Sequence, residues 1–420
     1  MSQELIRIVE NIARDKNIDK ESIFADLEAA LVSAARKAFS TSEETEIEVF
    51  IDRDNGNITA YKDGEKLDVK RFGRIAAQTA KQVMIQKLKA DERESIFAEY
   101  VKRKGEAVNG SIARFEGGTM VIDLSNRVEA IMPKSEQIGG ETHHVGERLR
   151  CMILDVREVS SQVRIILSRT HPDFIKRLFE LEVPEVTEGI IEIKALAREA
   201  GYRTKIAVES HDDKVDAVGA CVGVRGSRIR NIVDELSGEK IDIVRWSDSS
   251  QTLIANALKP AEVSEIAICF ELGRATVVVT EDQLSLAIGK HGQNVRLAAR
   301  LTSWDIDILT PEEYNAGVER LAECVTSIEG VDDSFVDQLL ALGIISVLDL
   351  EEVGSEPLIE ELGVDEDTAV KAVELAENVA KEIASEKKQA EDILEQEQAR
   401  TEDEDEDEDT EPGLGIDLPQ

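Results

Sequence analysis

The chain has 420 residues but only four cysteines, Cys151, Cys221, Cys269 and Cys324, and no two of them stand at C-x-x-C spacing. Neither a disulfide framework nor a thiolate zinc site is suggested, and reduced, buried thiols are expected. Histidine is also scarce. His143-His144 is the one adjacent pair, and neighbours on a strand point to opposite faces, so no metal site is expected. No apolar run approaches the ~18 residues of a membrane span, so no membrane partner is expected. The N-terminus is polar and amphipathic and does not read as a secretory signal, which makes the cytoplasm the expected location. A G-x-x-x-x-G-K-[ST] phosphate loop is missing as well. Gly289-Lys290-His291 has neither that spacing nor a following Ser or Thr for Mg²⁺, so no nucleotide cofactor is expected.

Basic residues are the other shortage, and it is local. Residues 311–420 hold 35 acids against 6 basic residues, a charge of −29 out of −37, which leaves −8 for residues 1–310. A chain this acidic would repel nucleic acid if the charge were evenly spread. Because the local field decides, the near-balanced body remains a candidate RNA binder.

A chain this long should hold several domains. Residues 1–101 read as α+β. Leu5, Ile8, Val9 and Ile12 form one helical face, and a second helix buries Ile23, Leu27, Ala30, Leu31 and Ala34. The period then changes to two at Ile47, Val49 and Ile51. Asp54-Asn55-Gly56 turns the chain into a second strand, and a long helix follows from Phe72 to Val101. Residues 102–170 carry five short strands, with Gly117-Gly118 and Ser125-Asn126 as turns, the pattern of a small OB-type barrel. Such barrels bind single strands, which makes Arg114 and Phe115 candidate contacts; Phe115 would either stack on a base or plug the barrel mouth.

Residues 171–310 contain an internal duplication. Gly223-Val224-Arg225-Gly226 and Gly289-Lys290-His291-Gly292 lie 66 residues apart, each inside the element order αββααβ. The chemistry of Gly-x-x-Gly suits RNA. Two positions without side chains let a phosphate backbone approach, and the helix that comes next offers N–H groups and a positive dipole end. Arg225, Arg228 and Arg230 add charge at the first loop, and Lys290, His291, Asn294, Arg296 and Arg300 surround the second. Residues 194–310 hold 15 basic and 17 acidic residues, so the cations are concentrated at the loops. About four exposed bases would be read in the groove by the apolar residues flanking each loop and by the neighbouring strand. With so short a junction, the two copies should keep a fixed relative orientation. Beyond Pro311 the chain reads as a helix-hairpin-helix-like module. The unbroken acid run Glu402–Asp409 cannot bury a core and should be disordered.

Several long motifs resemble those of the NusA family of bacterial transcription elongation factors. They are Val218–Ile229, Gly238–Ile243, Ala287–Ala298, Phe72–Val83, Ser168–Pro172 and Glu182–Pro184-Glu185. The resemblance covers residues 1–380. It implies a multidomain α+β protein with an RNA polymerase-binding domain at 1–101 and an S1-type OB barrel at 102–170. Two type II KH domains would follow at 171–248 and 249–310, then an acidic repeat at 311–380 and an acidic extension and tail at 381–420. The implied partners are RNA polymerase core, nascent single-stranded RNA and other Nus factors. The implied role is in pausing, intrinsic termination and antitermination, as a monomer without catalytic residues. Some members carry two acidic repeats that can mask the RNA surface; here one is found. The charge asymmetry suggests competition between the acidic third and RNA for Arg225, Arg228, Lys290 and Arg296. Two other readings stay open. A phosphorolytic exoribonuclease also combines KH and S1-type domains, but needs two large catalytic cores that residues 1–101 do not supply. A ribosome-associated RNA binder is the second.

Overall fold

The computed structural model describes residues 6, 7, 9, 10, 13, 14, 19–38, 47–66, 69–124, 128–159, 162–328, 331–383 and 385. The expected helix face at Leu5, Ile8 and Ile12, the turn at Ser125-Asn126 and the acid run Glu402–Asp409 lie outside these residues, as do the side chains of Phe72 and Ile75. The chain forms two compact units, Met1–Ile138 with Thr142–Phe174, and Gly139–Glu141 with Ile175–Gln420. Among the described residues no helix is long and apolar enough to cross a membrane.

In the first unit, helix α1 (Lys20–Ala38) packs on the hairpin β1 (Ile47–Ile51) and β2 (Ile58–Lys62), which is extended by β3 (Glu65–Lys66). The period-two pattern directs Ile47, Val49 and Ile51 into one core with Ile23, Leu27, Leu31 and Val9. Helix α2 (Val69–Lys102) then leads into five strands: β4 (Ala107–Glu116), β5 (Thr119–Asp123), β6 (Glu129–Met132), β7 (Arg148–Val159) and β8 (Gln162–Ser168). They close into a barrel in the order β4-β5-β6-β8-β7. Closure leaves no edge strand to aggregate. Ile122, Met132, Ile153, Ile165 and Leu167 fill the interior, and Tyr100 from the end of α2 joins them.

The second unit contains the duplication. The first copy runs α3 (Pro172–Glu182), α4 (Pro184–Thr187), β9 (Ile191–Glu199), β10 (Arg203–Ser210), α5 (Ala217–Val222), α6 (Ser227–Glu235), β11 (Lys240–Arg245). The second runs α7 (Ser250–Leu258), β12 (Glu265–Cys269), β13 (Arg274–Val278), α8 (Glu281–Ile288), α9 (Gln293–Thr302), β14 (Asp305–Leu309). In each sheet the middle strand pairs antiparallel with the strand before it and parallel with the strand after the helices. The one addition to the expected order is α4, a single turn at Pro184.

The copies are fused through a shared core. Ala197, Ala207 and Val244 from the first sheet join Leu253, Ile254, Leu258, Leu297 and Leu301 of the second copy in one cluster. Ala195, Ala197 and Ala207 are small, which lets α9 lie directly against β9 and β10. Each Leu or Ile buried this way contributes about 1.5–3 kcal/mol. At the rim, Glu199 accepts hydrogen bonds from Gln293 (2.8 Å) and Arg296 (2.6 Å). One buried ion pair braces the first sheet. Arg198 donates twice to Glu239, at 2.9 Å each, and Glu239 also accepts from the Gly201 N–H.

The second sheet is covered in turn by a run of helices. Helices α10 (Pro311–Thr326), α11 (Asp333–Ala341), α12 (Val347–Val353), α13 (Ser355–Leu362) and α14 (366–383) share a core with Cys269 and Leu272. Cys269 occupies the ladder position of Glu199, since they stand opposite Arg274 and Arg203 respectively. The residue that holds the second copy by an ion pair thus has a buried thiol as its counterpart. Helix α10, which the acidic composition did not single out, starts from a capping box between Thr310 and Glu313 with Pro311 in its first turn.

Candidate nucleic-acid interface

The two loops have the same backbone. Gly223 (φ 75, ψ 174) matches Gly289 (φ 72, ψ 175), and Gly226 (φ 74, ψ 20) matches Gly292 (φ 69, ψ 16). Between them Arg225 (φ 54, ψ 27) and His291 (φ 54, ψ 31) are both left-handed, a conformation a non-glycine residue rarely holds. Each first glycine ends the preceding helix, its N–H bonded to Gly219 or Ser285. Each second glycine precedes a helix, α6 or α9, whose N-terminus carries no side-chain cap. Those first-turn N–H groups are the donors that suit a phosphate.

The first glycine is required by contact as well as by φ. A Cβ on Gly223 would sit 2.8 Å from Arg228 Cγ, and one on Gly289 would sit 2.7 Å from Asn294 Cβ. Arg228 and Asn294 are therefore equivalents, and both turn inward. Arg228 donates to the Ala220 carbonyl (2.7 Å) and to Glu185 (2.9 Å). Asn294, 1% exposed, donates to the carbonyls of Leu286, Ala287 and Leu258. Residues 220 and 286 are themselves equivalent, so these side chains tie each loop to the helix before it. Of the residues expected to touch RNA, Arg228 and Asn294 thus brace the loop from behind. Arg296 is divided between the surface and its bond to Glu199, whose carboxyl it holds below the usual glutamate range.

What remains outward is Val224 (82% exposed), Arg225, Arg230, Lys290, His291 and Arg300. Neither the four cations Arg225, Arg230, Lys290 and Arg300 nor His291 forms a salt bridge among the described residues; Arg230 donates to the Arg225 carbonyl (3.4 Å). Leu286 and Ile288 add an exposed apolar rim to the second loop. Flanking position was their only sequence signal. Beneath the first loop Cys221 is buried and its thiol pKa is pushed up to about 11, so it is an inert core residue.

The barrel candidates belong to the first unit. Phe115 is 44% exposed on β4 and does not plug the barrel. Arg114 beside it is bound to Glu129 (2.7 Å) and Glu116 (2.6 Å), which raise its pKa above the ordinary guanidinium range and neutralise its charge locally. Glu192, Glu209 and His211 come together at ligand-like distances, but Lys194 already bridges the two carboxylates at 2.8 and 3.1 Å. The expected competition by the acidic third takes a different form in the described residues. The carboxylates of 311–385 that pair with the duplicated copies are Asp349 and Glu352, and their partner is Arg274, not Arg225, Arg228, Lys290 or Arg296.

Comparison with known proteins agrees with this geometry. Residues 169–246 match the NusA-like first KH domain, 250–316 the NusA-like second KH domain, and 4–65 and 62–94 the NusA N-terminal domain. The chain is 40% identical to the transcription termination/antitermination protein NusA of Halalkalibacterium halodurans, over 74% of this chain and 90% of that one. It is 39% identical to the protein of the same name from Bacillus subtilis, over 73% and 91%. The NusA of Rickettsia conorii is 36% identical over 94% of this chain and 86% of its own. With two KH domains, the N-terminal domain and near full-length relatives in agreement, the chain belongs to the NusA family of transcription termination/antitermination proteins.

Proposed function

We infer that this protein is a non-enzymatic transcription factor that grips nascent single-stranded RNA through its paired glycine loops while bound to RNA polymerase core. The observation that carries this is the pair of loops with matching backbone angles, each presenting unpaired cations ahead of an uncapped helix. Residues 1–101 act as the polymerase tether. Residues 102–170 act as an S1-type OB barrel, with Phe115 as its stacking surface. KH domains at 171–248 and 249–310 form the clamp, followed by the acidic repeat at 311–380 and the acidic extension at 381–420. Tethering raises the local RNA concentration, so a modest grip suffices to bias hairpin formation, pausing and intrinsic termination. With other Nus factors the same grip serves antitermination, and the chain acts as a monomer. Crosslinking in a paused elongation complex tests the assignment. Residues 1–101 should map to polymerase, and Val224, Arg225, Lys290 and His291 to RNA. Crosslinks to ribosomal RNA with none to polymerase would favour the ribosome-associated reading.

A further inference from the structure

The helices that follow the two loops are held from behind in different ways. Helix α9 rests on the shared core, in which Leu297 is fully buried, and Asn294 donates only to backbone carbonyls. In α6 the equivalent residues are Asn231 and Arg228, and both turn to carboxylates of the segment that joins α3 to β9. Asn231 donates to Glu182 (3.0 Å), the last residue of α3. Arg228 donates to both oxygens of Glu185 (2.9 and 3.1 Å), which stands in the first turn of α4. The segment is itself fixed in place. Val183, between the two acids, is fully buried. The Glu185 carbonyl accepts from the Ile190 N–H (2.9 Å), and the Thr187 hydroxyl donates to the Glu180 carbonyl.

This matters for the loop because one nitrogen of Arg228 serves two elements. The Nη1 that meets Glu185 also donates to the Ala220 carbonyl (2.7 Å), on the helix before the loop. That bond ties α6 back to α5 across Gly223–Gly226. Arg225, inside the loop, is left-handed, a conformation that persists only where its surroundings fix it. The Arg228 and Glu185 side chains are 29% and 28% exposed, so neither is sealed in the core. The Glu185 carboxylate takes its own backbone N–H as well as Arg228, and these hold its pKa below the usual glutamate range. It is therefore charged at neutral pH.

We propose that Glu185 is a positioning residue for the first loop: it holds Arg228 against the Ala220 carbonyl and so fixes the backbone that presents Arg225 and Arg230 to RNA, without touching RNA itself. This role rests on the loops being an RNA clamp. Charge and position then have opposite consequences. By charge alone, removing a carboxylate beside an RNA path strengthens the positive field and tightens binding. By position, removing it lets Arg228 leave Ala220, the loop loses its fixed shape, and binding weakens. The duplicated copies are thus unequal: neutral contacts to backbone brace the second loop, and the first depends on a carboxylate from outside its own two helices.

The test is titration of the full chain with a labelled, unstructured polypyrimidine RNA, with amide hydrogen exchange read on the same variants. Glu185→Gln is expected to weaken RNA binding several-fold despite the lost negative charge. The Gly223 and Gly226 amides, which donate to the Gly219 and Gly223 carbonyls, should lose protection while β9–β11 keep theirs. Arg228→Asn installs the neutral brace of the second loop, and in that background Glu185→Gln is expected to change binding no further. Glu188→Gln, at an exposed acid of the same segment, should bind as the wild type. Unchanged or tighter binding by Glu185→Gln, equal weakening in both backgrounds, equal weakening by Glu188→Gln, or protection lost throughout β9–β11 overturns the proposal. The double variant Val224→Asp, Arg225→Asp separates the two levels. If it weakens binding while Glu185→Gln does not, the positioning role is wrong and the clamp stands; if it keeps wild-type affinity, the clamp reading of the first loop fails as well.

Discussion

At Gly289 an added methyl group would meet Asn294 Cβ at 2.7 Å and the Asn294 backbone nitrogen at 3.0 Å. Backbone does not yield as a flexible side chain does. Gly289→Ala is therefore expected to destabilise the second copy by about 1–3 kcal/mol, seen as a lower denaturant midpoint. Gly223→Ala faces only the flexible Arg228 side chain and should cost less. A larger effect is expected at Glu239, which is fully buried against Arg198. Glu239→Ala leaves a buried guanidinium without its carboxylate, at about 3–5 kcal/mol, measurable as lost hydrogen-exchange protection in β9–β11. The residue scale is also where the sequence was least informative. The glycines were legible because little else tolerates their φ. That Arg228 and Asn294 face inward was not, because their orientation depends on partners such as Glu185 and Leu258, some 40 residues away.

Among the elements, the order of strands and helices in the duplication was legible, because period-two runs alternate there with glycine turns and the pattern occurs twice. The five barrel strands were legible for the same reason. The contacts of the helical module were not. Its acidic composition suggested a free electrostatic competitor, yet its apolar residues pack on Cys269 and Leu272, and its Gly343 lies against β12. A Cβ at Gly343 would sit 2.2 Å from the Ile268 carbonyl oxygen. Gly343→Ala is expected to loosen α11 and α12 by about 1–3 kcal/mol, and limited proteolysis should then cut there first while the first copy stays protected.

For the whole molecule, the fusion of the copies has a pH signature. Arg296 holds the Glu199 carboxyl below its ordinary value of 4.5. A depressed folded pKa means the pairing contributes fully above 4.5 and is lost as pH falls through the folded value. Hydrogen-exchange protection at the start of α9 should decline over that acid range, and Glu199→Gln should remove the dependence. The charge asymmetry was plain from composition, but its placement needed the fold, which directs Asp349 and Glu352 to Arg274 and leaves Arg225, Arg230, Lys290 and Arg300 without a salt bridge among the described residues. We propose that these two loops form the RNA clamp. It is tested most directly by RNA affinity across salt for the full chain carrying Val224→Asp, Arg225→Asp, Lys290→Asp and His291→Asp. The expected result is a protein folded as the wild type, with binding lost and any residual salt slope reduced; wild-type affinity with an unchanged slope would refute the clamp.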